Sequence, residues 1–568
     1  MARSSSLVLV ALLTFSSASL PSLAATASGS EASDSSPSQV ALINREIAAA
    51  WADQRLSPSP TATDGEWCRR VYLDVLGRIP TVDELKQFVS DRSRDKRREL
   101  VDRLLGDEYQ AEYARNFTTI WTNLLIGRTG GANRQSLANR EGMQQYLREA
   151  FLRNKPIDQL MQELVTATGS CRPGDADFNG AANFLADKMA ENGIQATAVT
   201  AKVFLGTAVQ CTQCHNHPFN EYRQNQFWEL NAFFRQTRVE RLPTEGINRR
   251  VARILDRDFA GEGGDPTKAE LYYELRNGKL RVAYPVFIDG ASLAEKYAER
   301  GEDFGDSGYL SDVHRRQELA ELIRESPEFP RAIVNRVWGQ FLGYGFTKPV
   351  DDMGPHNAPS HPELLDELAK AFRESSFDLK QLVRWVTLSK PYSLSSRATR
   401  RNDEDDPALG VSPMYSHFYI RQMTAEQLYE SLLVATAADE SVDEADRERT
   451  KQRWLAQFNT AFGNDENGEA TTFNGSIPQA LMLMNGELIR RATSSGDGSM
   501  LFRVAWDQDL SNAEKIRTLY LAGLSRPPGR DELKVCNQLL AARQGNVTEA
   551  LQDIWWAVLN SNEFIFNH

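Results

Sequence analysis

Residues 72–86 read YLDVLGRIPTVDELK, and residues 520–534 read YLAGLSRPPGRDELK. Tyr, Leu, Leu, Arg, Pro and the run Asp-Glu-Leu-Lys align at a constant offset. In the first copy Val71, Leu73, Val75 and Leu76 lead into Gly77-Arg78-Ile79-Pro80. Thr81 and Glu84 then stand at capping-box spacing, in which the Thr side chain accepts from the N3 amide and the N3 Glu reaches back. The pattern predicts a helix, a Pro-terminated turn and a second helix, once near each end of the chain. Shared helix–turn–helix grammar is the alternative origin of the likeness. Two copies so far apart exclude a solenoid, whose repeats recur at short regular periods. Arg78 and Arg526 are read as binding the last carbonyls of the preceding helix rather than a ligand.

Outward from these units the helical spacing continues at 98–105 and 117–125. Ser360-His361-Pro362-Glu363 and Thr424-Ala425-Glu426-Gln427 read as further capping boxes, each followed by leucines at helical spacing. One segment differs: 271–275 and 280–288 read as two strands around Asn277-Gly278, a dipeptide that accepts the positive φ of a tight hairpin. The fold class expected is mainly α, two helical domains joined by a connector carrying a small β-hairpin. The first domain is placed at 39–240, the connector at 241–309 after a Gly-rich stretch, and the second domain at 310–568.

The chain has 568 residues, 41% hydrophobic and 25% charged, an ordinary globular composition. Its formal charge of −12 argues against a sequence-wide nucleic-acid binder. Five cysteines are too few for a disulfide scaffold. Residues 1–24 read as a secretory signal, with Arg3, the apolar run 7–15 and a small-residue cleavage site ending at Ala24. Residues 25–38 are a low-complexity linker. The apolar run is too short to span a bilayer and no later one is long enough, so the mature chain is expected to lack a transmembrane segment. It is expected to be exported, to the periplasm or the cell exterior.

Cys211-Thr212-Gln213-Cys214-His215 carries the chemistry. C-x-x-C-H is the spacing of c-type haem attachment: two thiols on one turn add to the two vinyl groups of a porphyrin, and the next imidazole ligates the iron. Two other readings stay open. The cysteines form a disulfide, or Cys211, Cys214, His215 and His217 contribute to a zinc or copper site, although adjacent residues rarely point at one tetrahedral ion. The pair follows an apparent helix at 196–210 rather than opening one, which weakens a redox-active dithiol. Candidate distal ligands are His314, His356, His361, His417 and several methionines. Phe219, Tyr222, Phe227, Trp228, Phe233 and Phe234 either wall a pocket or, on the plainer reading, pack as an ordinary helix face.

Asp351, Asp352, His356 and His361 cluster in a Pro/Gly-containing stretch, a composition for cation or acid–base chemistry or, more simply, for a structural loop paired to Arg336. Ser360 is read as a helix cap. Cys68 is expected buried and Cys171 exposed, with Cys536 unassigned and a 68–171 bridge conceivable.

Long stretches carry a resemblance: RRVYLDVLGRIPT (69–81), DKRRELVDRLLGDEYQ (95–110), FLGTAVQCTQCHNHPFNEYRQNQFWELNAFF (204–234), RAIVNRVWGQFLGYGFTKPVDDMGPHNAPSHPELLDELA (331–369) and SIPQALMLMNG (476–486). The chain resembles the secreted planctomycete proteins that join a cytochrome-associated domain of unknown function to a planctomycete-specific C-terminal domain. Members of that family are often fused to, or found beside, a recognisable cytochrome c domain. The resemblance carries over no catalytic residue. It matches Cys211, Cys214 and His215 position by position. The separate cytochrome domain of longer members has no counterpart here, which leaves Cys211–His215 as the one haem attachment it implies. The expected function is binding of one haem c for electron transfer or redox support, with an unidentified redox or cell-surface protein as partner. The alternative is a non-redox cell-surface scaffold or binding module whose CxxC is a disulfide or a zinc or copper site.

Overall fold

A computed structural model describes residues 36–132, 136–218, 220–242, 251–257, 272–301, 312–462, 482, 484–496 and 498–568. The expected signal segment, the Gly-rich stretch near 261 and most of 476–486 lie outside them. Helices make up 58% of the fold, and its sheets have two or three strands, so the protein is mainly α.

The first repeat unit forms as the sequence predicts. Helix Asp64–Leu76 starts at Thr63, whose side chain accepts from the Glu66 amide, and stops at Gly77, which takes φ +76 so that its N–H reaches the Leu73 carbonyl. Helix Val82–Ser90 opens on the full Thr81/Glu84 capping box. Near the other end, helices Asn512–Leu524 and Arg530–Ala542 repeat the arrangement, with Ser525 in the left-handed conformation that Gly77 takes. The two arginines act alike, but not on the preceding helix's carbonyls. Arg78 forks onto Glu84 and Glu112 and donates to the Ile79 carbonyl; Arg526 forks onto Glu532 and Glu563 and donates to the Pro527 carbonyl. A turn residue with two carboxylates within reach forms bidentate charge-assisted bonds, which are stronger than bonds to neutral carbonyls.

Helix Asp64–Leu76 is buried nearly all round, including Arg69, Arg70 and Asp74. Arg69 donates to the carbonyls of Gly523 and Phe564, which joins the first repeat unit to the second. Arg70 donates to the carbonyls of Tyr392 and Leu394. Asp74 pairs with Arg421 and accepts from the Tyr392 hydroxyl and the Asn567 amide, each at 2.8 Å. These long-range bonds satisfy charges that would otherwise be costly to bury.

Packing divides near residue 420. One core runs from Ile43 to Tyr419 and combines the N-terminal helices with helices Arg315–Glu325, Glu328–Leu342, Pro362–Glu374 and Leu379–Thr387. A second gathers Met423 to Ile565 and borrows Leu73 and Ile79 from the first repeat unit. Strand Phe566–Asn567 pairs with Arg421–Gln422 and closes this body on itself.

The Asn-Gly hairpin is present but short: Tyr272–Glu274 pairs with Leu280–Val282, and Gly278 takes φ +78. Its second strand ends before Pro285, which has no N–H to give a ladder. The sequence reading did not include the three-stranded antiparallel sheet, in which Val251–Asp256 lies between Gly169–Ser170 and Thr237–Leu242. The Ser360 box does not form. Pro362 occupies the first helical position, so His361 is the N-cap residue and Ser360 stands one residue too early. Cys171 is buried rather than exposed, its amide held by the Ala252 carbonyl of that sheet.

Candidate functional site

Helix Ala190–Phe204 ends earlier than the expected 196–210. At Gly206 the chain turns with φ +61, and the Gly206 carbonyl accepts from the Met353 amide at 2.7 Å. The positive φ favours a glycine here; a Cβ would also meet Met353 Cε, the mobile end of its side chain, at 2.5 Å. Beyond it, Gln210–Gln213 forms a single 3₁₀ turn, anchored inward by buried Thr212, whose hydroxyl donates to the Val209 carbonyl. Cys211 lies within that turn and Cys214 directly follows it, both as free, exposed thiols. Helix Gln224–Ala232 supports the loop from below: Trp228 Nε1 and Gln224 Nε2 both donate to the Gln213 carbonyl, and the Gln224 amide donates to Asn216 Oδ1.

The two histidines of the loop differ. His215 is exposed, and its Nδ1 lies 2.7 Å from the Asn216 carbonyl. A carbonyl only accepts, so Nδ1 carries the proton and the neutral ring presents its lone pair at Nε2. His217 is half-buried, and its Nδ1 accepts from the Asn220 amide at 3.1 Å. Its proton therefore sits on Nε2. Burial lowers the pKa of His217; nearby His356 and His215 add to this and Asp352 opposes it.

A loop from the other half of the protein faces this one. The His217 and His356 rings are 6.0 Å apart. His356 Nε2 approaches Asp352 Oδ1 at 3.1 Å without hydrogen-bond alignment, and those two atoms and His356 Nδ1 are buried without a hydrogen-bond partner. Asp351 turns the other way, to Lys202 at 3.1 Å and Arg336 at 4.0 Å, the pairing with Arg336 that the sequence suggested. Cys214, His215 and His217 thus lie on one loop, with Asp352 and His356 across from His217. Among the described residues, no group of three or more His, Cys, Asp or Glu is disposed to hold a metal ion.

The remaining distal histidine candidates lie elsewhere. His361 is buried against Tyr415 and Phe346, His417 sits edge-on to Tyr419, and His314 precedes helix Arg315–Glu325. The aromatic stripe divides: Phe227, Phe233 and Phe234 are core residues, Trp228 stacks on Tyr273, and Tyr222 lines the smaller of two cavities. Phe219 lies outside the described residues. Among the described residues, none of 211–217 lines the cavities of about 830 and 530 Å³. The thiols and the His215 tautomer fit the donor chemistry of C-x-x-C-H attachment, at a surface position. Lys202 and Met353, which hold the two loops together, carry no local signal in the sequence. No described helix is long and apolar enough to cross a membrane.

Two family models match the chain. Residues 42–239 match PSCyt2, a protein of unknown function (DUF1549), and residues 315–454 match PSD1, a protein of unknown function (DUF1553). No curated protein and no solved structure matches it. The C-x-x-C-H loop falls in the first matched region and the Asp352–His356 loop in the second, and the chain belongs to the two-domain family that joins PSCyt2 to PSD1.

Proposed function

We propose that this is an exported protein that carries one covalent haem c for electron transfer or redox support. In this reading Cys211 and Cys214 would hold the haem through thioethers, and His215 would ligate its iron through Nε2. The observation that carries it is the His215 tautomer: a backbone carbonyl holds Nδ1–H, as second-shell partners of ligating histidines do, beside two free thiols at attachment spacing. When bound, such a haem supplies one-electron exchange. The chain's own part is to hold the turn through Thr212, Gln224 and Trp228, and to bring His356 beside the loop. The test is the haemochrome spectrum of the full chain matured in a host with haem-attachment machinery. A Soret band abolished by Cys211→Ser with Cys214→Ser supports the proposal; no band in the parent protein overturns it.

A second reading, a non-redox module with a disulfide or a zinc or copper ion at this loop, draws on the unpartnered buried atoms of Asp352 and His356. His217, as held, has its Nδ1 lone pair engaged, so a metal would have to displace the Asn220 amide. Metal analysis with thiol titration separates the readings: zinc or copper without iron, or no metal and no free thiol at 211 and 214, selects the module.

A further inference from the structure

The Asn277-Gly278 hairpin is fastened to the support of the C-x-x-C-H loop. One atom, Gln224 Nε2, donates to the Gln213 carbonyl at 3.2 Å and to the Glu274 carbonyl at 2.9 Å, so the turn and the hairpin meet at a single buried side chain. Trp228, whose Nε1 donates to the same Gln213 carbonyl, stacks on Tyr273 with ring centroids 6.0 Å apart and an interplanar angle of 12°. Tyr273 is buried there. Successive strand residues point to opposite faces, so Tyr272 and Glu274, with their cross-strand partners Val282 and Leu280, lie on the face turned away from Trp228.

That outer face is open and its surroundings are cationic. Tyr272 is 47% exposed and Leu280 is 63% exposed, and the two are diagonal neighbours across the strands. The turn and second strand add Arg276, Lys279 and Arg281, all exposed and without an ion pair among the described residues. Against them the hairpin carries one carboxylate, Glu274, in a chain of formal charge −12. An aromatic and an aliphatic side chain ringed by cations have the composition of a protein interface, an apolar centre with a polar rim. The positive field is local, because at physiological salt exposed charges act over about 8 Å. A bilayer extends far beyond that range and meets the acidic remainder of the chain; a small protein meets the hairpin alone.

We infer that the 272–282 hairpin is the docking surface for this protein's redox partner, a small redox protein that presents acidic side chains. The partner's redox character rests on the haem reading above. Docking itself uses the hairpin only: carboxylates of the partner meet Arg276, Lys279 and Arg281, and Tyr272 with Leu280 gives the apolar contact. Electron-transfer encounters bury small interfaces and are steered by complementary charge, so the complex is weak and sensitive to salt.

The probe is plastocyanin, a small acidic blue-copper protein. Chemical shifts of the isotope-labelled probe are followed as the full chain is added at low and at physiological salt, and circular dichroism checks that each variant is folded. The replaced side chains are exposed, so the variants leave the core as it is. The expected result is saturable shifts at acidic residues of the probe that shrink with salt. Affinity falls by about tenfold in Arg276→Glu with Lys279→Glu, and falls less in Tyr272→Ser with Leu280→Ser. Arg45→Glu with Arg449→Glu makes the same change in net charge at side chains 68% and 76% exposed elsewhere, and leaves affinity within about twofold. Three results overturn the inference. They are no shifts with the parent chain, equal effects of the hairpin pair and the control pair, and hairpin-dependent binding to phosphatidylserine vesicles with none to plastocyanin, which assigns the surface to a membrane. Haem content is read from the Soret band of the same samples. Docking is expected with or without haem, so failure of the haem reading and failure of the docking surface are seen separately.

Discussion

His215 and His217 stand two residues apart and are held in opposite tautomers. The Asn216 carbonyl fixes the proton of His215 on Nδ1, while the Asn220 amide occupies Nδ1 of His217 and leaves its proton on Nε2. One ring offers a metal its lone pair; the other spends it on the backbone. His215→Ala should therefore lower haem absorbance by about tenfold or more, at least as far as loss of an outer-shell partner does. His217→Ala should leave most of it. The check is the haemochrome yield of each variant per mole of protein. Equal losses in the two would contradict the assignment.

The matched arginine forks differ in burial. Arg78 is 8% exposed and Arg526 is 34% exposed, with near-identical partners. Removing one member of a buried pair strands the rest, at about 3–5 kcal/mol, whereas exposed pairs contribute about 1 kcal/mol or less. Arg78→Ala should thus shift the denaturation midpoint several times further than Arg526→Ala. Equal shifts would mean that burial does not set the value of this fork.

One buried histidine, His361, and one half-buried histidine, His568, make stability sensitive to acid. Burial holds His361 at about 4, against an opposing pull from Asp405, and holds His568 at about 4, mainly by the same cause. The unfolded chain takes up these protons near pH 6.5, before the folded chain does. The contribution is therefore complete above about pH 6.5, declines as pH falls, and levels off below about 4; each group accounts for about 3 kcal/mol at most. Denaturation midpoints at pH 7, 5.5 and 4 should decline less steeply in His361→Gln than in the parent. Parallel declines would contradict this.

Local chemistry was legible in the sequence. Thr81 with Glu84 and Thr424 with Gln427 form the expected capping boxes, since each needs only its own turn. The repeat at 520–534 folds as its likeness to 72–86 implied. Ser360 was misread because Pro362 sets the helix start, a one-residue matter that spacing alone does not resolve. Cys171 was misread because its loop is covered by a sheet whose central strand, Val251–Asp256, was not recognised. Nothing local marks Arg69, Arg70 and Asp74 as buried; apart from Glu66 beside Arg70, the side-chain partners that hold them lie more than 300 residues away. For the site, C-x-x-C-H was plain, but its apposition to Asp352 and His356 depends on the tertiary crossing of Gly206 and Met353, which no periodicity encodes.

The most direct measurement of the central claim is the mass of the proteolytic fragment spanning Cys211 to His215, from protein exported in a host that matures c-type cytochromes. The account predicts a fragment heavier by one haem, with both sulfurs substituted. A fragment of unmodified mass with free thiols, or one two hydrogens lighter with Cys211 joined to Cys214, would contradict it.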